Sequence, residues 1–141
     1  FKVSLFGTAE QAADVRAVLL AGGFSVRVVA SHGRFIDVLP LRAGKAAAIE
    51  FEAARYDLPL SRCLAAGNSG NDEDMLLRCG RAILVGNALP EVSGIGDRPG
   101  LYRAQAAYAD GVLEGMRAHA LIATESGDGS LRGRTPTVVQ S

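Results

Sequence analysis

The sequence predicts an α/β protein: a layer of parallel strands flanked by helices, preceded by a small α+β unit. Two observations carry this. Short apolar-rich runs, Cys63 to Ala66 and Arg81 to Val85, alternate with helical segments, as strands buried on both faces of a parallel sheet do. Ahead of them, residues 1–40 read strand, helix, strand, turn, strand, the order of a separate α+β piece.

Each element has a local reason. Residues 2–6 alternate as a half-buried strand does. Thr8 is placed to cap a helix running to about Leu20, with Ala12, Val15, Val18 and Leu19 on one face and Gly22-Gly23 as its stop. Phe24 to Ala30 reads as a second strand, Ser31-His32-Gly33-Arg34 as a turn, and Phe35 to Leu39 as a third strand closed by Pro40. Lys45 to Tyr56 is an Ala-rich helix with Ile49, Phe51 and Ala53 as its apolar positions. A helix over Asp72 to Cys79, a short one over Pro90 to Ile95, a strand at Tyr102 to Ala104 and a last helix over Asp110 to Ile122 complete the layer. The expected organisation is the end of an α+β unit over 1–40, a parallel-sheet core over 41–123, and a disordered tail over 124–141 with no periodicity. No internal repeat is visible.

Composition narrows the function. The chain has 141 residues, 48% of them apolar, enough for one core. Its fifteen basic and fifteen acidic residues are interspersed and cancel, which argues against a nucleic-acid partner. No apolar run reaches the roughly 18 residues of a membrane span. The opening, Phe1 to Phe6, reads as a strand and lacks the basic and long apolar regions of a signal peptide. The expectation is that upstream sequence has been cut away. Cys63 and Cys79 lack metal-ligand spacing and read as small buried or half-buried hydrophobes in a reducing cytoplasm.

The chemistry-bearing stretch is Ala66-Gly67-Asn68-Ser69-Gly70-Asn71-Asp72-Glu73-Asp74-Met75-Leu76. It follows an apolar strand and opens a helix, the place where ligands bind in open α/β sheets. Its glycines let the backbone turn tightly and approach a ligand, and Asn71 and Asp72 present oxygens of the kind Mg2+ takes. The same pattern also describes a plain strand-to-helix turn with Asp72 as N-terminal cap. Lys45 lies upstream, behind the Gly44 turn. It is either a solvated surface charge or a cation able to neutralise a phosphoryl group and a carboxylate nucleophile. Spacing does not decide between them.

Phe35-Ile36-Asp37-Val38-Leu39-Pro40, Arg42-Ala43-Gly44-Lys45, Gly67-Asn68-Ser69-Gly70-Asn71-Asp72, Val85-Gly86-Asn87 and Tyr108-Ala109-Asp110-Gly111-Val112-Leu113-Glu114-Gly115-Met116 occur in that order. Together they resemble the later half of the sucrose-phosphatase family of the haloacid dehalogenase (HAD) superfamily. The likeness is greatest to the phosphatase-like C-terminal domain of bacterial sucrose-phosphate synthases, and it covers about residues 1–120. It implies the end of a cap domain followed by the C-terminal part of a Rossmann-like core. It also implies Mg2+, an aspartyl-phosphate intermediate and a sugar phosphate such as sucrose 6-phosphate as substrate. Lys45 matches the family lysine that steadies nucleophile and phosphate. Asn68 stands where a metal-binding aspartate is usual, Asp72 matches the second acidic residue and Asn71 the amide beside it. The expected site is therefore Lys45 and Asp72 as catalytic groups, Lys45, Ser69, Gly70 and Asn71 around the phosphate, and Asn68 and Asp72 toward the metal.

The sequence also departs from that pattern. The family nucleophile lies in an Asp-x-Asp turn after the first core strand. Here the only Asp-x-Asp is Asp72-Glu73-Asp74 in the acidic bend, so the nucleophile segment is expected outside this chain. Asn68 removes a charge from the metal site, and Ala46 follows Lys45 where glycine is common. His32 reads as a solvated turn residue, His119 as a cation suited to a helix C-terminus, and Asp37 as a local cap or pairing partner.

Two functions stay open on this reading. One is part of a Mg2+-dependent sugar-phosphate phosphatase, inactive without the absent half. The other is a non-catalytic phosphatase-like domain of a sucrose-phosphate synthase that holds a sugar phosphate or a partner glycosyltransferase domain. A bland α/β fragment without a ligand is the third, weakest reading.

Overall fold

The computed structural model describes residues 1–123. The expected disordered tail, 124–141, lies outside the described residues.

The first forty residues build a three-stranded antiparallel sheet with one helix against it. Thr8 starts helix α1 (Ala9–Ala21) through a capping box. Its Oγ1 accepts the Gln11 N–H at 3.2 Å, and the Gln11 side chain accepts the Thr8 N–H at 2.9 Å. Strands β2 (Val26–Ser31) and β3 (Phe35–Pro40) form a hairpin whose turn residues His32 and Gly33 both have positive φ. Strand β1 (Val3–Phe6) pairs with the other edge of β3, giving the order β1-β3-β2. Ala12, Val28 and Ile36 make the core between α1 and the sheet.

The second layer is a parallel sheet of β4 (Leu64–Gly67), β5 (Arg81–Leu84) and β6 (Leu101–Arg103), in that order. Alternation along the central strand divides the packing. Ala82 and Leu84 face a cluster with Leu76, Val92 and Ile95, from α3 (Glu73–Arg78), α4 (Pro90–Ser93) and the segment after it. Ile83 and Val85 face helix α5 (Tyr108–Ala118) and pack with Ala104 and Met116. Helix α2 (Lys45–Ala54) closes the α3 side through Ala46, Ala65, Met75 and Cys79. Ile83 is fully buried; truncation there to alanine costs about 2–5 kcal/mol in comparable cores.

Several sequence expectations need correction. β1 is exposed along its whole length, Phe6 at 84%. It is an edge strand that α1 does not cover, so alternation there does not mean half-burial. Val18 and Phe51 point to solvent on helices whose other faces carry the contacts. The helix expected from Asp72 begins instead with a 3-10 turn (Gly70–Asp72), and α3 proper starts at Glu73. The last helix starts at Tyr108 and ends at Ala118, leaving His119 beyond it. There the His119 ring lies edge-on to Tyr102, with Nε2 3.2 Å from the Ala82 carbonyl oxygen. Cys63 and Cys79 are both free, half-buried and buried respectively.

Candidate active site

The acidic bend forms because β4 ends in a glycine and the chain doubles back on itself. Asp72 is 4% exposed and its carboxylate is held on two sides. Oδ2 accepts the backbone N–H groups of Asn68 and Ser69 at 3.0 and 3.1 Å, with the Ser69 hydroxyl at 3.4 Å. Oδ1 receives the Lys45 ammonium from the first residue of α2. Burial by itself raises the Asp72 carboxyl, but the hydrogen bonds from Lys45, Asn68 and Ser69, together with the lysine charge, outweigh it. Its pKa therefore lies below the ordinary value. Lys45 also donates to Asn71 Oδ1 at 3.3 Å, an oxygen that takes the Ser69 hydroxyl at 2.8 Å as well.

Lys45, Asn71, Asp72 and Ser69 thus meet at the carboxyl end of β4, the rim on which α/β sheets bind ligands. Gly70 is buried in the bend between them. Asn68 joins through its backbone, and the residue lines a separate cleft of about 190 Å³ with Asn87 and Tyr108. Lys45 opens on another cleft, of about 270 Å³, whose walls include Lys2 and Asp37 from the antiparallel sheet. Asp37 is engaged there by Lys2 Nζ at 3.2 Å and Ser4 Oγ at 2.7 Å, the local pairing its position suggested.

The sequence gives Asp74 no role of its own and does not point to Arg27 at all. Asp74 Oδ2 accepts Arg27 at 2.8 Å and the Ala46 backbone N–H at 3.2 Å, while Arg27 also donates to the Ala43 carbonyl. The Asp-x-Asp spacing put two carboxylates in the bend, but nothing local tied Arg27 to them.

The described residues do not by themselves make a Mg2+ site. Both Asp72 oxygens are already taken by donors, and no three His, Cys, Asp or Glu side chains converge among the described residues. Among the described residues no helix is long and apolar enough to cross a membrane.

This fold is that of the HAD phosphatases. A HAD subclass IIB sugar phosphatase superposes with a TM-score of 0.69 at 21% identity, over 86% of this chain and 44% of that one. The sucrose-phosphatase from Synechocystis sp. PCC6803, solved with sucrose and phosphate, superposes with a TM-score of 0.74 at 29% identity, over 85% of this chain and 52% of that one. The family model described as sucrose-6F-phosphate phosphohydrolase matches residues 1–120, and the chain belongs to that family. A mannosylfructose-phosphate phosphatase from Agrobacterium fabrum is 36% identical over 106 residues, which are 74% of this chain and 43% of that protein. The chain therefore spans about half the length of these relatives.

Proposed function

We propose that these residues supply the lysine and acidic bend of a Mg2+-dependent phosphatase acting on a sugar phosphate of the sucrose 6-phosphate class. The nucleophile segment then belongs to a part of the protein beyond this sequence. The observation that carries the reading is the Lys45 ammonium seated on buried Asp72 at the sheet rim, opening on a cleft walled by the antiparallel unit. In this role Asp72, held ionised, fixes Lys45 in place. The ammonium then balances the charge of a phosphoryl group and of a carboxylate nucleophile. Ser69 holds the Asn71 carboxamide so that its NH2 group can donate to a phosphate oxygen. Mg2+ would add further charge neutralisation, with Asn68 and Asp72 as this chain's contribution to its surroundings. The antiparallel unit would cover the sugar. The mannosylfructose-phosphate phosphatase and the sucrose-phosphatase among its relatives favour hydrolysis over mere binding.

The test is phosphate release from sucrose 6-phosphate with Mg2+ by the intact protein. Lys45→Ala is expected to lower kcat by about a hundredfold or more. Residues 1–141 alone are expected to give no turnover. An inactive intact protein whose upstream sequence lacks an Asp-x-Asp turn after an apolar strand would overturn the reading. That result would support a non-catalytic domain, for instance one attached to a glycosyltransferase.

A further inference from the structure

We propose that Asp74 is a positioning residue for Lys45, and that Arg27 makes this positioning depend on the antiparallel unit. The inference rests on the reading of Lys45 as the phosphate-facing cation, but its geometry is independent of any ligand.

Asp74 sits two residues beyond Asp72, in the first turn of α3, and its side chain is 11% exposed. Its Oδ2 accepts the N–H of Ala46, the residue next to Lys45 at the start of α2. Helix α2 has no side-chain cap: its N-cap is Gly44, so one of its otherwise unsatisfied N–H groups is met by a carboxylate from another helix. The negative charge also suits the positive end of the α2 dipole. Space at this point is full. A Cβ on Gly44 would lie 2.2 Å from Asp74 Oδ2 and 2.5 Å from the nearer guanidinium nitrogen of Arg27. Ala46 is fully buried. The start of α2 is thus clamped in position and direction, and Lys45 is the residue whose reach to Asp72 depends on it.

Arg27 comes from β2, in the other unit. It bonds Asp74 Oδ2 and the carbonyl of Ala43, in the segment that leads from β3 into α2. Any shift of β2 relative to the core sheet therefore acts on the same carboxylate that holds the lysine's helix. Side-chain charge on Asp74 is not essential to this account, because an amide oxygen can accept the same hydrogen bonds. Removal of the acceptor is what should matter.

Lys2 and Lys45 are the only lysines in the sequence, which gives an internal reference. The experiment is acetylation of the intact protein with limiting acetic anhydride, the Lys45 and Lys2 peptides being followed by mass spectrometry. Asp74→Ala is expected to raise the Lys45 rate by about threefold or more while leaving Lys2 unchanged, and Asp74→Asn to stay within about twofold of the native rate. Arg27→Gln, which leaves the Ala46 contact in place, covers the case in which Asp74→Ala does not fold; a faster Lys45 rate is expected there too. Unchanged Lys45 labelling in the folded variants would overturn the proposal whether or not the protein is a phosphatase. If the intact protein hydrolyses sugar phosphate, Asp74→Ala should lower kcat with little effect on KM. It should add nothing in a Lys45→Ala background; an equal loss in both backgrounds would also overturn the proposal.

Discussion

Gly67 and Asp72 share one space: a Cβ on Gly67 would lie 2.4 Å from the Cβ of Asp72 and 2.8 Å from its Oδ2. The end of β4 and the acidic bend fold against each other this closely because the Asp72 carboxylate turns back to take the N–H groups of Asn68 and Ser69. The carboxylate that receives Lys45 is therefore placed by a missing methyl group. Gly67→Ala is expected to push Asp72 away, at a cost of about 1–3 kcal/mol from overpacking, and to weaken the Lys45 contact. Thermal unfolding checks this. Gly94→Ala, where a Cβ would meet nothing within 4 Å, is the control and should leave the midpoint nearly unchanged. Equal midpoints for the two variants would mean that the bend has slack.

The Asp72 carboxyl titrates below its ordinary value, so the sign of its pH dependence is set. A depressed folded pKa gives stability that is fully present above the unfolded value, about 3.9, and is lost as pH falls through the folded value. Urea unfolding of the native protein and of Asp72→Asn should differ by a constant amount from pH 7 down to about pH 5, with the gap closing only in more acid solution. A gap that already shrinks between pH 7 and 5 would show that burial of the carboxyl, and not its hydrogen bonds, controls its titration.

The sequence carried the parallel layer because Ala82, Ile83 and Leu84 are apolar at successive positions in a short run, as a strand covered on both faces requires. It also carried the Lys45 and Asn68-to-Asp72 pieces, since glycines, amides and carboxylates cluster there. Alternation failed at β1, where Val3 and Leu5 are apolar yet exposed: period two marks two faces but not which of them is covered. Arg27 illustrates the other limit. It lies in the strand expected over Phe24 to Ala30, with nothing beside it in sequence to mark a partner. Its partner Asp74 is 47 residues away, and only the packing of the two units brings them together. His119 does stand at the C-cap of α5, but its contacts with Ala82 and Tyr102, on two different strands, were equally hidden from the sequence.

The two cysteines should separate cleanly in reactivity. Burial pushes the Cys79 thiol up, with Cys63 nearby adding to the effect, and the residue is 1% exposed beneath α2. Thiolate is the reactive form. Alkylation of the native protein at neutral pH is expected to label half-buried Cys63 at least about tenfold faster than Cys79, the difference vanishing in denaturant. Comparable native rates would mean that the packing of α2 and α3 on β4 opens readily.

Asn68 offers the test that bears most directly on the metal. Its N–H already donates to Asp72, so a carboxylate at this position would add a second negative charge beside a group held ionised. Two opposite effects follow. Without a divalent cation the two carboxylates repel, and Asn68→Asp should unfold at a lower temperature than the native protein in EDTA. With Mg2+ the added hard oxygen ligand and charge should strengthen binding in the intact protein by about tenfold or more, and the thermal deficit should disappear. Calorimetric titration of Mg2+ into both forms measures the first quantity and melting with and without the cation the second. Equal affinities in the two forms would refute the view that the amide weakens a metal site here. A deficit that Mg2+ does not repair would place the cation away from residue 68.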